Sequence, residues 1–422
     1  MDADCARRPP VPTDSFALRT LRFAPFEGTI LHGPKDIPGY AACCPRSQLR
    51  NQVKAIDLFA GAGGLTLALL RAGFDVAGAL DSWEPAVETH RLNFPHPVIH
   101  GDASNLSAIN LREEMNFAGG IDLLVGGPPC QGFSIQRIGA NHDSRNNLIF
   151  DFGRLVREVR PLMFLMENVP GMLGPRGSHI VTQFQTSLEN VGYDVQHKLI
   201  NAADYGVPQF RKRVFYCGWL RQTVSPFVFP APTHSSQNYS TVWDAIRDLP
   251  PPHDKNSGSL DDPLHCRMRM SSKNQERLRH IPPGGGFESL PLHLRVDCHR
   301  AGASKIGHRY VYGRLAADKP AATITGRFDS FTRGKFAHPF EDRNITLREG
   351  ARLQTFPDDF HFSGNQEEIA ALIGNAVPPL LATVLCRSIF QHLAVDSDSK
   401  QGAIVPASAF QPQRPQLDLF GN

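Results

Sequence analysis

The sequence predicts an α/β fold: a doubly wound, mostly parallel sheet joined to a smaller second domain. Three observations carry this. Short apolar runs alternate with amphipathic stretches from Val53 to about Leu220, the spacing of strand–helix–strand units. A glycine loop, Gly61-Ala-Gly-Gly64, joins the first run to the helical stretch after it. Past Leu220 the alternation stops and the chain turns rich in Pro, His, Arg and Ser.

The elements follow in order. Residues 1–52 are Pro-rich and read as an irregular N-terminal arm. Val53–Phe59 reads as a strand, Leu65–Ala72 as a helix, Phe74–Leu80 as a second strand and Pro85–Asn93 as a second helix. Val98–His100, Ile121–Val125, Leu162–Met166 and Val214–Gly218 read as further strands. Between them lie helical stretches such as Leu148–Val159, with Leu148, Phe152, Leu155 and Val159 on one face. Residues 53–220 thus form the main domain. Residues 221–310 form the smaller one, with Pro282-Pro-Gly-Gly-Gly286 at its centre. Residues 255–309 hold ten Lys/Arg against five Asp/Glu, an excess suited to an anionic partner. Regular order returns at Ala322-Thr-Ile-Thr325, and Leu347–Thr355 and Glu367–Ile373 read as helices. Residues 311–395 return to the main domain. Residues 396–422 are polar and read as a disordered tail.

The 422 residues carry a formal charge of +3, enough chain for a sizeable core but little guide to partners. Eight cysteines show no CxxC pair and no regular framework, so neither a metal site nor a disulfide scaffold is expected. The first ten residues have no apolar signal core, and no apolar run reads as long enough to span a bilayer. These features predict a soluble intracellular protein with reduced thiols and no membrane partner.

The most specific stretch is Gly126-Gly127-Pro128-Pro129-Cys130-Gln131-Gly132-Phe133-Ser134. A buried strand precedes it. Two glycines permit a close turn and two prolines stiffen the approach to Cys130. A cysteine is commonly a small core hydrophobe, but a core thiol needs no rigid glycine-flanked loop, so Cys130 reads as placed for chemistry. The polar stretch Gln131–Asn147, with Gly132 and Gly139 as hinges, reads as a closing lid. At the first loop the glycine spacing is G-x-G-G, unlike the G-x-G-x-x-G of a pyrophosphate binder, and favours an adenosine cofactor without a diphosphate. Asp81, twenty residues after Gly61, is placed to accept from two ribose hydroxyls. Asp102, after the third strand, is placed to accept from an adenine amino group. Singly, each acid reads as a turn or cap residue; at successive strand ends they read as a site. Glu167 follows the strand Leu162–Met166 and, if buried beside the thiol loop, can act as an acid. Gln209, Arg211 and Arg213 alternate and share one face.

These blocks, in this order, resemble the DNA (cytosine-5)-methyltransferases of the bacterial modification type. The similarity runs from Val53 to Leu385. It covers Asp57–Leu65, Gly126–Ser134, Glu167-Asn-Val169, Gln209-x-Arg-x-Arg213, Arg314–Thr325, Leu347–Pro357 and Gly374-Asn-Ala-Val-Pro378. One departure is that Trp83 stands two places after Asp81, where well-known members have Glu followed directly by Trp.

The resemblance implies the S-adenosylmethionine-dependent methyltransferase fold, with 221–310 as a target-recognition domain. It implies S-adenosyl-L-methionine held by Phe59, Gly61, Gly63, Asp81, Asp102, Pro128 and Asn375. It implies catalysis by Cys130, Glu167, Arg211 and Arg213: the thiolate adds to C6 of a cytosine flipped from double-stranded DNA, Glu167 serves N3, Arg213 holds O2, and Arg211 supports the loop and the thiol. A cytoplasmic, nucleoid-associated bacterial monomer is expected, with a cognate restriction endonuclease acting on the same site. RNA cytosine-5 methylation is the alternative with the same chemistry; the chain lacks the Cys-Phe-Thr tripeptide of that branch. A catalytically silent DNA-binding regulator is the alternative from another class, and the intact Cys130, Glu167, Arg211 and Arg213 speak against it.

Overall fold

The computed structural model describes residues 53–129, 148–254, 262–300 and 311–400. Its first half alternates as expected: β1 (Lys54–Leu58), α1 (Gly64–Ala72), β2 (Asp75–Asp81), α2 (Glu84–Asn93), β3 (Val98–His100), α3 (Ala108–Glu114), β4 (Leu123–Gly126), α4 (Leu148–Val159), β5 (Met163–Asn168), α5 (Ser178–Glu189), β6 (Tyr193–Asn201) and β7 (Lys212–Leu220). The seven strands form one sheet in the order β3-β2-β1-β4-β5-β7-β6. β1 to β5 run parallel, while β7 is antiparallel to both β5 and β6.

The apolar strands are buried on both faces, and their side chains divide by alternation. Leu123, Val125, Met163 and Leu165 share one core with Leu65, Ala68 and Leu69 of α1. Leu124, Phe164 and Met166 share the other with Ile149, Phe152 and Leu155 of α4 and Phe184 and Leu188 of α5. The chain winds outward from β1 to β3 and then returns to β4. The strand order therefore reverses between β1 and β4, where such sheets open a crevice at their carboxyl ends.

The second half holds α6 (Val242–Ile246), α7 (Ser272–Arg279), α8 (Asp297–Arg300), β8 (Gly313–Arg314), β9 (Lys335–Ala337), α9 (Leu347–Leu353), α10 (Gln366–Asn375) and α11 (Pro379–Lys400). The described part of 221–310 interlocks with 311–395. Val242, Ile246 and Leu264 are buried with Ile324, Phe328 and Leu353, and Leu278, Ile281 and Phe287 with Phe331 and Ala337. Buried Arg314 donates to the carbonyls of Leu278, Ile281, His338 and Glu341 and to Asp342.

Three expectations are corrected, and one strand stands where none is expected. Ala322–Thr325, where regular order is expected to return, takes neither helix nor strand. The amide of Ile324 is taken by the Gln209 side chain and its carbonyl by Arg211, so side chains satisfy backbone that a strand neighbour would otherwise pair. β6, which the apolar pattern does not announce, is an edge strand with mixed exposure. α11 continues to Lys400, into the expected disordered tail. Gln366–Val395 is apolar and long enough by composition to cross a membrane. It is two helices interrupted at Ala376–Pro378, and Leu381, Leu385 and Ile389 of α11 are buried with α1. The expected arm 1–52, the lid Gln131–Asn147 and residues 401–422 lie outside the described residues.

Candidate active site

A cavity of about 470 Å³ opens at the carboxyl edge of the sheet, between the ends of β1, β2, β4 and β5 and the residues around α10. Its floor is the loop after β1. Phe59 is left-handed there, with φ of 55°, a conformation costly for a bulky residue and found mostly where a site demands it. Gly63 has φ of 87°, and a Cβ on it would stand 2.5 Å from the Phe94 ring. A Cβ on Gly64 would stand 2.3 Å from the carbonyl oxygen of Val377, so only glycine lets α1 approach the segment between α10 and α11.

Asp81 ends β2 and fastens this loop. Its Oδ2 accepts from the Gly61 amide at 2.8 Å and its Oδ1 from the Trp83 amide at 2.9 Å. Burial pushes the Asp81 carboxyl above its ordinary range, against the pull of those amides. Asp102 is exposed, and its Oδ1 accepts from the Ser104 amide at 2.9 Å, capping a short turn.

The wall includes Phe59, Gly61, Asp81, Asp102, Asn375 and Glu167. Gly63 and Pro128 stand outside it. Gly63 serves the start of α1, and the carbonyl of Pro128 accepts from Asn168 Nδ2 at 3.2 Å. The next residue, Pro129, is on the wall; Cys130, one place further, lies outside the described residues. Sequence reading missed Leu80, Ser82, Trp83, Gly101, Leu148, Leu372 and Val377 as wall residues. Several neighbour Asp81, Asp102 or Asn375 and were within reach of that signal. Leu148 and Leu372 looked like ordinary helix positions.

Glu167 and Arg213 meet because β7 runs antiparallel to β5, which brings the start of β7 to the end of β5. Arg213 Nε lies 2.9 Å from Glu167 Oε1. The angle is not that of a hydrogen bond, so among the described residues the buried Oε1 has an ion-pair partner but no hydrogen-bond donor. A buried carboxylate oxygen in that state is suited to an incoming donor. Arg211 is fully buried and donates to the carbonyls of Ile324, Gly374 and Asn375; the thiol loop it is expected to support lies outside the described residues.

Beneath the loop lies a polar group the sequence did not announce. Buried Asp57 accepts from Thr66 Oγ1 at 2.7 Å, and that hydroxyl stands 3.2 Å from His90 Nε2. Burial pushes the Asp57 carboxyl up to about 7 and the His90 imidazole down to about 4.

The donor set fits an adenosine-bearing cation. Two carboxylates stand at successive strand ends, aromatic Phe59 and Trp83 flank them, and Leu80 and Leu372 supply apolar surface.

The sheet order and the crevice at its switch point define a methyltransferase of the S-adenosylmethionine-dependent class. The match to known sequences is narrower: the model of the C-5 cytosine-specific DNA methylases matches residues 53–391, and the chain belongs to that family. Among relatives, the Type II methyltransferase M1.HphI of Haemophilus parahaemolyticus is 36% identical over 341 residues, covering 80% of this chain and 86% of its own. The Type II methylase M.HgiDII of Herpetosiphon aurantiacus is 34% identical over 351 residues, covering 80% and 95%. A crystal structure of an E. coli prophage protein, described as a DNA modification methyltransferase, superposes with a TM-score of 0.63 at 29% identity, covering 81% and 99%.

Proposed function

We propose that this chain methylates C5 of a cytosine flipped out of duplex DNA at one short sequence, through a covalent Cys130 adduct, within a restriction–modification system or as a solitary modification enzyme. The observation that carries this reading is Glu167 on the cavity wall with Arg213 paired to it from behind, one residue type suited to N3 and the other to O2 of the same pyrimidine.

Cytosine C5 is a poor carbon nucleophile. Addition of the Cys130 thiolate to C6 forms the C–S bond and pushes the ring electrons toward C5 and N3. Glu167 gives a proton to N3, and Arg213 holds O2 against the charge that builds there. Asp81, Asp102, Phe59 and the Gly61 loop would hold S-adenosyl-L-methionine, whose methyl group would pass to C5 while the electron pair of the broken S–CH3 bond stays on the departing thioether sulfur. Loss of the C5 proton then restores the ring, the bond to Cys130 breaks with its electron pair returning to the thiolate, and N3 returns its proton to Glu167. The base must leave the helix stack to reach such a wall. Gly63 and Pro128 act on the cofactor through the backbone they shape, and Arg211 through the closing segment it holds. The enzyme works as a monomer on DNA in the cytoplasm; within a restriction–modification system a cognate endonuclease would share its site but form no stable complex.

Bisulfite sequencing of plasmid from a host expressing the chain tests this directly. Cytosines protected at one short motif are expected, with none protected for Cys130→Ser. A duplex carrying 5-fluorocytosine at that motif should trap the wild type covalently, since the last proton is replaced. Undiminished methylation by Cys130→Ser overturns the assignment.

A further inference from the structure

The C-terminus of α10 forms part of the cavity wall, through Ala371, Leu372 and Asn375. The last carbonyls of a helix have no partner within it. Here two buried side chains collect them. Gln354, at the end of α9 and fully buried, donates from Nε2 to the carbonyl of Ile373 at 2.6 Å and lies within 3.3 Å of that of Gly374. Arg211 donates to the carbonyls of Gly374 at 2.9 Å and Asn375 at 3.3 Å, placing a cation at the negative end of the helix dipole. Gln209 locks the pair: its Nε2 donates to Gln354 Oε1 at 2.8 Å, and its Oε1 accepts from the Ile324 amide at 2.8 Å. A Cβ on Gly374 would stand 2.2 Å from the Thr325 carbonyl, so the clasped segment has no room to shift inward.

We infer that Gln354 is a positioning residue for the cofactor: with Gln209 and Arg211 it caps α10 and sets the wall against which the cofactor binds. The inference rests on the functional reading above. Arg211 and Arg213 are two residues apart, so the same segment that carries the pyrimidine-holding arginine carries the clasp. The amide of Gln354 is needed for both of its ends, since Nε2 serves the helix carbonyls while Oε1 receives Gln209. A carboxylate there would face carbonyls, and an apolar side chain would leave them without donors.

The test compares Gln354→Met, which keeps length and removes donors, and Gln354→Asn, which keeps the amide but shortens it, with Leu188→Ala. Leu188 is buried in α5, away from the cavity wall, and serves as a destabilised control. Two quantities are read: amide hydrogen exchange over residues 366–378, and the dissociation constant for S-adenosyl-L-methionine by calorimetry. For Gln354→Met, exchange there should rise about tenfold and the dissociation constant about tenfold, with kcat at saturating cofactor within about threefold of wild type. Gln354→Asn should fall between. Leu188→Ala, at a similar loss of Tm, should leave the cofactor constant within about twofold. Unchanged exchange in Gln354→Met overturns the clasp. Raised exchange with an unchanged dissociation constant overturns the positioning role. Failure of the wild type to bind the cofactor sinks the functional reading instead, and the exchange measurement still decides the clasp.

Discussion

Arg213 approaches Glu167 with Nε 2.9 Å from Oε1, across two strands that run in opposite directions. Both side chains are mostly withdrawn from solvent, at 16% and 12% exposure. The pair is therefore poorly screened. It is also incomplete, because Oε1 has no hydrogen-bond donor among the described residues. A pyrimidine edge offers the missing partners.

Replacing Glu167 by Gln should preserve the fold and cofactor affinity and remove the proton donated to N3. Turnover should fall by about 10² to 10⁴. A labelled-methyl assay at saturating cofactor checks this, and near-normal turnover would exclude the acid role. Arg213→Met should be equally slow, and the double variant little worse than either single one, since the two groups act as a unit.

Asp81→Ala should weaken cofactor binding more than it slows kcat. Two effects add: lost acceptors for the ribose hydroxyls, and release of the Gly61 and Trp83 amides that the carboxylate now holds. Together these cost on the order of 2–4 kcal/mol. Calorimetric titration with the cofactor is the check; an unchanged constant would remove Asp81 from the site.

Asp57 makes stability depend on pH in an unusual direction. Its carboxyl is near 7 in the folded chain and 3.8 as the ordinary value, because burial disfavours the charge. Between those values the folded state binds more protons than the unfolded one, so this group's contribution to stability falls as pH rises from about 4 to about 7. His90 acts oppositely, its fall to about 4 favouring the fold as pH rises toward 6.5. Asp57→Asn isolates the first effect. The Tm of the variant minus that of the wild type should grow across pH 5 to pH 7 and then level off, about one ionisation's worth. A flat difference would show that Asp57 is charged throughout.

Gly64→Ala places a Cβ about where the Val377 carbonyl oxygen stands, at 2.3 Å. Helix propensity alone would favour alanine, yet the backbone contact must open. Loss of roughly 1–3 kcal/mol of stability is expected, together with weaker cofactor binding, because Val377 is also on the cavity wall. Stability at or above wild type in a thermal melt would contradict the close approach.

Sequence choice should follow residues 221–310. Arg348 of α9 holds Asp262 by Nε at 2.6 Å and Nη2 at 3.2 Å, and its amide donates to the Leu264 carbonyl. Asp262→Asn should therefore raise the KM for DNA several-fold, roughly, while leaving cofactor affinity alone. A hybrid carrying 221–310 of a relative with another target should methylate that relative's motif by bisulfite sequencing. An active hybrid that keeps the original motif refutes the assignment. The run Pro282–Gly286 is fastened to the neighbouring segment, with the Gly284 carbonyl accepting from Lys335 Nζ and the Gly285 carbonyl from the Arg314 amide.

The parallel strands were legible because full burial on both faces writes itself as an unbroken apolar run. The edge strand β6 was not, since Asp194, Gln196 and Lys198 alternate with residues that are themselves half exposed. Site residues at strand ends, Asp81 and Glu167, could be located because acids there are conspicuous. Arg211 and Arg213 were indistinguishable by type and spacing; only their partners separate the arginine that caps α10 from the one paired with Glu167.

What the sequence by itself determined is the local chemistry: the order of strands and helices, the glycine loop, and the acids that follow strands. Each is set by neighbours within a few residues, through periodicity and turn geometry. What only the tertiary structure decided is which distant groups meet. The reversed direction of β7 brings Arg213 to Glu167, and the folding back of α10 gives Gln354 and Arg211 a helix end to cap. It also leaves Asp57, Thr66 and His90 sealed together. Those pairings depend on strand direction and on backbone packing across more than a hundred residues, such as Arg211 to Gly374, and no local pattern encodes them.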